Sequence, residues 1–592
     1  MIYPNVLEID LGSETSEFYE DNELFDKYLG GIGVAIELFK RNIKTGIDPL
    51  SSDNVVVFAI GPLNSYYPVA SKTSAVFKSP LTGNLGESYA GGRLSTAMRF
   101  GNIGAIVVKG KAEQPSYFVH RDGETEICNA GPIRFMYPNT AGRIIRENVG
   151  YPGRRSVITI GPAGERMVPY AGATVDRFRH FGRLGLGAVL GSKNLKGLVV
   201  IGDQPISLEI NTDYQKYRKV FTEIYKKTTE TELMSKYHVL GTPAGILPLN
   251  VLKSLPTRNF RESTFTFAEN ISGEYFAEEL LARRVACGGC PLGCIHLGIL
   301  RERYSSESVG DIHTIVVSYD YELIYALGSN LLIKDASDVL RLIEAVEREG
   351  MDVISTGVVL GWLAEAYERN LISPEDTKGQ IIRFGHVEDF LKIIPKISAA
   401  NPEEELFFLA SKGVDALVER YGGREYAISI AKVEPAGYST GPYSIMGQVI
   451  GGRHSHLDNA GYSLDQKTLT NPVSSKDGLM KLMVEEEWRN VLNSFVVCLF
   501  ARGVYDVDTS LKALEALKIN RTADDLEQFG KEIQKKRLGY KNQEGFNLAE
   551  VRKKLPERFF EMMTAHGIIM KKSIDELFEE YEEIAKGRYN FT

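Results

Sequence analysis

"GLVVIGDQPISLEINTDYQKYRKVFTEIYKKT", residues 197–228, decides the fold class, because two periodicities meet inside it. "GLVVIG" is a short β-branched run of the kind that pairs in a sheet. "NTDYQKYRKVFTEIYKKT" spaces its apolar residues three and four apart, the pattern of an amphipathic helix. Upstream, "NVVVFAI", "SAVFK", "AIVVKG", "YFVH" and "SVITIG" are further strand-like runs separated by Gly, Pro and Asn turns, and helical periodicity is weak. Downstream, helix dominates. "ASDVLRLIEAVEREG" reads from an Asp335 or Ser337 cap to Gly350, and "TGVVLGWLAEAYERN" follows it. In "SIDELFEEYEEIAKG", Ser573 and Glu576 read as a capping box, with Ile574, Leu577, Phe578, Tyr581 and Ile584 on one face. The expectation is an α+β chain: a β-rich domain over residues 1–205, then two mainly helical domains over 206–415 and 416–592. The second boundary rests on "SKGVDALVERYGG".

Composition narrows the class. The chain has 592 residues, 43% hydrophobic and 25% charged, which excludes disordered, collagen-like and coiled-coil readings. A net charge of −8 argues against nucleic acid as a partner. No stretch approaches the roughly 20 apolar residues of a membrane helix. "VISTGVVLGWLA", bounded by Asp352 and Glu365, reads as a buried helix of a soluble protein. "MIYPNVLEIDLGS" lacks the pattern of a secretory signal. Five cysteines do not make a disulfide framework at this size, so a reducing cytoplasm is expected.

Three of those cysteines stand in "CGGCPLGC", residues 287–294. The spacing C-x2-C-x3-C, with glycines and a proline between, suits a loop folded around a compact object whose sulfides accept backbone N–H bonds. Cys287, Cys290 and Cys294 therefore read as ligands of a [4Fe–4S] cluster that wants a fourth thiolate from elsewhere. Cys498, in "NSFVVCLFA", is favoured over Cys128, in "ETEICNAG". Structural zinc, with His296 as fourth ligand, and inert buried thiols are the rival readings. "GLGAVLG" invites a dinucleotide reading, but its spacing and the nearness of the next strand leave too little helix for one.

Ordered motifs go further. "KSPLTGNLGESYAGGRL" (78–94), "GNIGAIVVKGKA", "GRLGLGAVLGSKNLKG" (182–197), the cysteine loop, "YELIYALGSN" (321–330), "GMDVIST" (350–356), "GGRHSHL" (451–457), "NQEGF" and "LPERF" follow one another along the chain. In that order they resemble the aldehyde:ferredoxin oxidoreductase family of tungsten-pterin enzymes, over nearly the whole length. The resemblance implies tungsten, less often molybdenum, held by two pterins, with magnesium bridging their phosphates and one [4Fe–4S] cluster nearby. It implies oxidation of a small-molecule aldehyde to a carboxylic acid, with electrons passing to ferredoxin or to a small polyferredoxin-like subunit. It leaves a homo- or hetero-oligomer open.

Individual positions carry over from that family. Lys72 and Arg183 match basic phosphate contacts, and Gly91, Gly92 and Gly185 match turns whose backbone approaches the cofactor. Tyr89 stands where the family usually has an asparagine whose carbonyl binds magnesium. Asp352 matches the first pterin aspartate. The second pterin motif, usually D-x-x-G-[LI]-C, here reads Asn493 to Cys498, with asparagine for aspartate and Val496 for glycine. Glu322 and His456 match residues placed beside the metal to move protons. Without the family, each has an ordinary reading: a tight turn, a helix-starting acid, a packed histidine. His454 reads as a decoy or a supporting neighbour, and Arg453 as a holder of a carboxylate or phosphate. The alternative function is a low-potential tungsten reductase subunit acting on an aromatic acyl-CoA, like the class II benzoyl-CoA reductases. Those use a protein cysteine on the metal, and no cysteine here is near Glu322 or His456 in sequence.

Overall fold

The computed structural model describes residues 4–589 except 122, 151–153, 207–212 and 304–311. The strand-like runs of the first 205 residues form two sheets of six strands. The first comprises β1 (Asn5–Asp10), β2 (Thr15–Glu20), β3 (Val56–Ala59), β4 (Thr73–Lys78), β5 (Leu85–Ala90) and β6 (Ala105–Lys109), in the order β2-β1-β6-β3-β4-β5. The second comprises β7 (Ser116–Arg121), β8 (Glu124–Asn129), β9 (Arg154–Ile160), β10 (Ala173–Val175), β11 (Arg179–Phe181) and β12 (Leu195–Gly202), in the order β11-β10-β9-β12-β7-β8. Only β1–β6 and β12–β7 pair in parallel. β3, β4 and β12 are buried along their whole length, which explains their continuous apolar or β-branched reading.

Several helices interrupt this region, and the two longest among the described residues, Gly31–Asn42 and Pro138–Val149, have 12 residues each. The weak periodicity hid them for different reasons. The first is buried along most of its length, so it has no polar stripe to alternate with. The second begins with Pro138 at its first turn and carries Gly142 inside.

Beyond residue 213 the chain is mainly helical, as expected. Tyr214–Thr229 is a helix capped by Asp213, and Ala336–Glu349 is capped by Asp335 and closed by left-handed Gly350. Val353–Glu368 is buried on all sides, hence its uninterrupted apolar reading. Residue 415 lies inside the helix Val414–Tyr421. The last helix, Lys571–Tyr589, starts two residues before Ser573, so Ser573 sits in its first turn and caps nothing. Ile574, Leu577, Phe578 and Tyr581 are buried as its spacing predicts.

One sheet was not anticipated: β13 (Leu281–Val285), β14 (Ile295–Arg303) and β15 (Ile312–Tyr319), paired antiparallel. It positions the site, because the cysteine loop is the connection between β13 and β14. The C-terminal end of the helix Ser475–Ser494 is brought to the same place by backbone contact with the first domain. A Cβ on Gly31 would stand 2.2 Å from the Asn493 carbonyl, so a bare backbone is required there. Beyond that helix, Lys72 N–H donates to the Val496 carbonyl (3.1 Å) and Cys498 N–H to the Val69 carbonyl (3.0 Å).

Candidate active site

Where β4 and β5, the cysteine loop and the helical half meet, a cavity of about 310 Å³ opens. Its wall carries all four expected thiols, Cys287, Cys290, Cys294 and Cys498, together with Lys72, Tyr89, Arg183, Glu322, His456 and Asn493. Residues up to 426 positions apart thus share one enclosure.

The thiols come first. The loop is fixed by Gly288 N–H donating to the Gly92 carbonyl (2.8 Å) and Val69 N–H donating to the Gly289 carbonyl (3.4 Å). A Cβ on Gly91 would stand 2.5 Å from Cys287 Sγ, so only glycine admits the thiol at that place. Burial pushes the Cys290 thiol up to about 12 and pushes Cys294 up as well. Thiolate ligation there calls for positive charge. Arg179 lies on the same wall; burial works to lower its guanidinium, but Asp320 and then Cys287, Cys294 and Cys498 raise it. Cys128 lies elsewhere, on β8, beside Tyr117. His296 is turned to backbone carbonyls, of Cys294 (3.1 Å) and of His238 (3.1 Å). Among the described residues no three of His, Cys, Asp or Glu are grouped as for one metal ion. Four soft donors around a wider space fit a multi-iron cluster.

Glu322 and His456 face each other. Glu322 stands in the first turn of the helix Tyr321–Leu327, and His456 on the loop after the helix Pro442–Ile450. His456 Nε2 lies 3.2 Å from Glu322 Oε1, and Tyr438 donates its hydroxyl to the same oxygen at 3.0 Å. The Tyr438 ring stacks on the imidazole with centroids 4.9 Å apart. Burial alone would raise the Glu322 carboxyl, but the hydrogen bonds from His456 and Tyr438 hold it below its ordinary range. Burial also holds the His456 imidazole low, although Glu322 works to raise it. The pair is therefore a carboxylate and a neutral imidazole near pH 7, with Nε2–H assigned as donor to Glu322. His456 Nδ1 is buried with no hydrogen-bond partner among the described residues.

Arg183 and Asp352, expected to touch the cofactor separately, are joined to each other. Arg183 Nε bonds Asp352 Oδ2 at 2.9 Å, and Nη2 donates to the Glu434 carbonyl at 2.6 Å. Asp352 Oδ1 also caps Ile354 N–H (3.0 Å), so the plain helix-cap reading holds as well. Arg183 remains on the cavity wall, while Asp352 faces an adjoining hollow of about 180 Å³ that shares Arg179, Arg183 and Asp320. Gly92 lies at the end of β5 with φ 99°, beside Asp176. Gly185 stands away from both walls, at the N-terminus of the helix Leu186–Ser192 and packed against the Pro169 carbonyl. That helix has only seven residues, too short for a dinucleotide unit.

Tyr89 donates its hydroxyl to Glu87 (2.5 Å), and the Arg453 guanidinium lies 4.9 Å from its ring centroid. Arg453 is paired with Asp458 at 2.7 Å. His454 is buried behind the site, bonded to the Gln448 carbonyl (2.9 Å) and to Lys541 (3.1 Å), and burial holds it down to about 3. Asn493 reaches the cavity from the last turn of the helix Ser475–Ser494. Val496, three residues on, holds φ 56° and is fully buried. Left-handed backbone is where a glycine is at ease and a β-branched residue is not.

Several lining or supporting residues were missed. Arg179 and Asp320 flank the thiols; Tyr438 and Glu434 anchor the two pairs. Arg179 had a signal, the basic run "DRFRHFGR" ahead of the glycine-rich turn. Tyr438 and Glu434 lie in "VEPAGYSTG", which carries none.

The model of the aldehyde ferredoxin oxidoreductase N-terminal domain matches residues 6–202, and that of domains 2 and 3 matches residues 219–586. A tungsten-containing aldehyde ferredoxin oxidoreductase of Pyrococcus furiosus is 30% identical over 92% of this chain and 89% of that one. Its namesake in Pyrococcus horikoshii is 33% identical over 73% of this chain and 70% of that one. An aliphatic sulfonate oxidoreductase, WOR-like subunit, of Pyrococcus furiosus is 30% identical over 66% and 63%. Among solved structures, the active-site complex BamBC of benzoyl coenzyme A reductase, in complex with 1,5-dienoyl-CoA, superposes with a TM-score of 0.79 over 99% of this chain and 98% of that one. At 18% identity that likeness speaks for the fold alone.

Proposed function

This chain belongs to the aldehyde ferredoxin oxidoreductase family of tungsten enzymes, and from that premise we propose that it oxidises an aldehyde to a carboxylic acid. Cys287, Cys290, Cys294 and Cys498 would hold a [4Fe–4S] cluster, which when bound would supply one-electron transfer. The observation that carries this reading is the Glu322–His456 pair, 3.2 Å apart, in one cavity with those four thiols. A proton-moving pair and an electron-collecting site in one enclosure are what the overall change needs. An aldehyde and a water become an acid, two protons and two electrons.

The residues fit the cofactors of the family. Lys72 and Arg183 would offer positive charge to pterin phosphates, and Gly91 and Gly92 lie beside the cysteine loop, while Gly185, away from both walls, supports the turn that carries Arg183. Asp352 and Asn493 would offer oxygen acceptors to pterin N–H groups, and the Tyr89 carbonyl would be offered to magnesium. When bound, a tungsten bis-pterin supplies the two-electron acceptor. The rest falls to the protein. The apolar wall at Leu323, Val433 and Leu457 excludes bulk water. His456 Nδ1, unpaired and neutral, takes a proton from the water that enters the product. Glu322 holds the imidazole in the tautomer that leaves Nδ1 free.

The acyl-CoA reductase reading keeps the fold but has less support. Three of the four cavity thiols belong to the loop of residues 287–294, and a relative at 30% identity over 92% of the chain carries the aldehyde name. Elemental analysis of anaerobically purified protein, followed by aldehyde oxidation with a viologen acceptor, tests the proposal. About four irons and one tungsten per chain with aldehyde turnover support it. Zinc alone, or turnover only of an aromatic acyl-CoA, overturns it.

A further inference from the structure

Five exposed basic residues stand beside the cysteine loop, in a chain whose net charge is −8, although Glu232, Glu278 and Glu279 are exposed on the same segments. Gly289, in mid-loop, has open space where a Cβ would stand, so the loop itself reaches the surface. Gly288 is bonded to the Gly92 carbonyl, and next along is Arg93, whose side chain is 61% exposed. On the other side, His238 Nδ1 lies 2.7 Å from the Leu292 carbonyl and clamps the segment 236–239 onto the loop. Exposed Lys236 begins that segment, and exposed Val239 ends it, its carbonyl accepting from Arg284 at 3.2 Å. Under it, Tyr237 stacks on Phe500, a wall residue of the cavity, with centroids 4.3 Å apart.

The collar is completed by Arg283 and Arg177, both exposed; burial and then the nearby Arg283 charge lower the Arg177 guanidinium. Among the described residues, Asp176 is the one carboxylate that pairs into it, with Arg93 at 3.7 Å. Adjacent like charges without counter-ions are unfavourable in the free protein and favourable against an anionic surface. Arg177 also holds φ 124°, a conformation a side-chain-bearing residue adopts only when its surroundings impose it.

We propose that this collar, Arg93, Arg177, Lys236, Arg283 and Arg284, is the docking face for a small acidic one-electron carrier protein. Its place over the thiols argues for an electron carrier and not for nucleic acid, since only a carrier gains from standing there. The inference rests on the electron path proposed above, but its test does not depend on turnover.

The test is binding of an acidic two-cluster bacterial ferredoxin to the anaerobic holoenzyme, followed by interferometry between about 20 and 300 mM salt. Wild type is expected to bind with an affinity that falls steeply with salt. The double charge reversal Lys236→Glu/Arg284→Glu is expected to weaken binding at least tenfold at low salt, leaving viologen reduction and metal content unchanged. Lys236→Gln/Arg284→Gln should fall between. Equal binding by wild type and the reversal, no binding by wild type, or preference of the collar for an oligonucleotide or a second copy of this chain overturns the proposal. Absence of aldehyde turnover with salt-dependent, collar-dependent binding intact would remove the proposed reaction and leave the docking face standing.

Discussion

His456 Nε2 lies 3.2 Å from Glu322 Oε1 across 134 residues of chain, inside the cavity that also holds four thiols. Neither residue has a local reason to be there. The loop 451–457 turns back because Arg453 and Ser455 N–H groups both donate to Asp458 Oδ2 (3.1 and 3.0 Å), and Glu322 is fixed by its place in a first helical turn.

That pair sets a pH dependence. Burial keeps the His456 imidazole below its ordinary value, so it stays neutral, and able to accept a proton, well into mildly acidic solution. The rate kcat/KM should hold level from pH 8 down through the usual imidazole range near 6.5 and fall only below it. In Glu322→Gln the carboxylate that raises the imidazole is gone, so the acid limb should move lower still. The tautomer is also lost, and the plateau should drop about 10²- to 10⁴-fold. A profile measured with viologen as acceptor checks both. An unshifted limb with an undiminished plateau would remove the pair from the reaction.

Glu434 predicts a stability effect of opposite sign. Burial raises its carboxyl to about 7, although Ser355 and Arg183 work to lower it. A raised folded value means the protonated form is the stabilised one. The contribution is full below the unfolded value near 4.5 and is lost as pH rises through about 7. Glu434→Gln, which stays neutral and can still meet Ser355, should therefore be more stable than wild type at pH 8. The gain should be on the order of 3 kcal/mol at most and should vanish near pH 4.5. Guanidinium unfolding at the two pH values is the measurement, and equal midpoints at pH 8 would count against it.

How much of this was legible in the sequence follows from range. The strands at Val56–Ala59 and Leu195–Gly202 were readable because burial on both faces leaves short unbroken apolar runs, VVFA and LVVI, a local signal. The cysteine loop was readable because three cysteines fall within eight residues. The sheet of β13 to β15 was not, because Leu281–Val285 carries "LARRV", with its middle residues exposed and charged. The capping box at Ser573 failed because a cap depends on where the helix starts, and the helix continues back to Lys571. Tyr438 and Glu434 act through partners 116 and 79 residues away, and nothing in their own neighbourhood marks them.

Cys498 is set apart from Cys128 by the same reasoning and can be tested by iron content. Cys498 shares the wall with the loop thiols, while Cys128 lies on β8 beside Tyr117. Cys498→Ala should lose most of its iron under anaerobic purification, because a cluster held by three thiolates is exposed to dissociation. Cys128→Ala should retain the wild-type complement. Equal iron in both would exclude Cys498 as the fourth ligand.

Val496 offers the sharpest test of the departure from the family pattern. Its φ of 56° places a β-branched residue where glycine is the comfortable choice, at a strain of about 1–2 kcal/mol. The same position hands its carbonyl to Lys72 N–H and leads directly to Cys498, so the backbone shape is held by the site and not by the side chain. Val496→Gly therefore relieves strain while it opens a small void and loosens the unfolded chain. These effects have opposite signs and similar size. The variant should stay within about 1 kcal/mol of wild type in denaturant unfolding. Val358→Gly, in a buried and unstrained helix, should lose 3 kcal/mol or more through void and helix propensity together. If the two substitutions cost the same, the strain at Val496 is not real. If Val496→Gly is neutral, a glycine at this place in relatives and a valine here are two solutions to one backbone requirement.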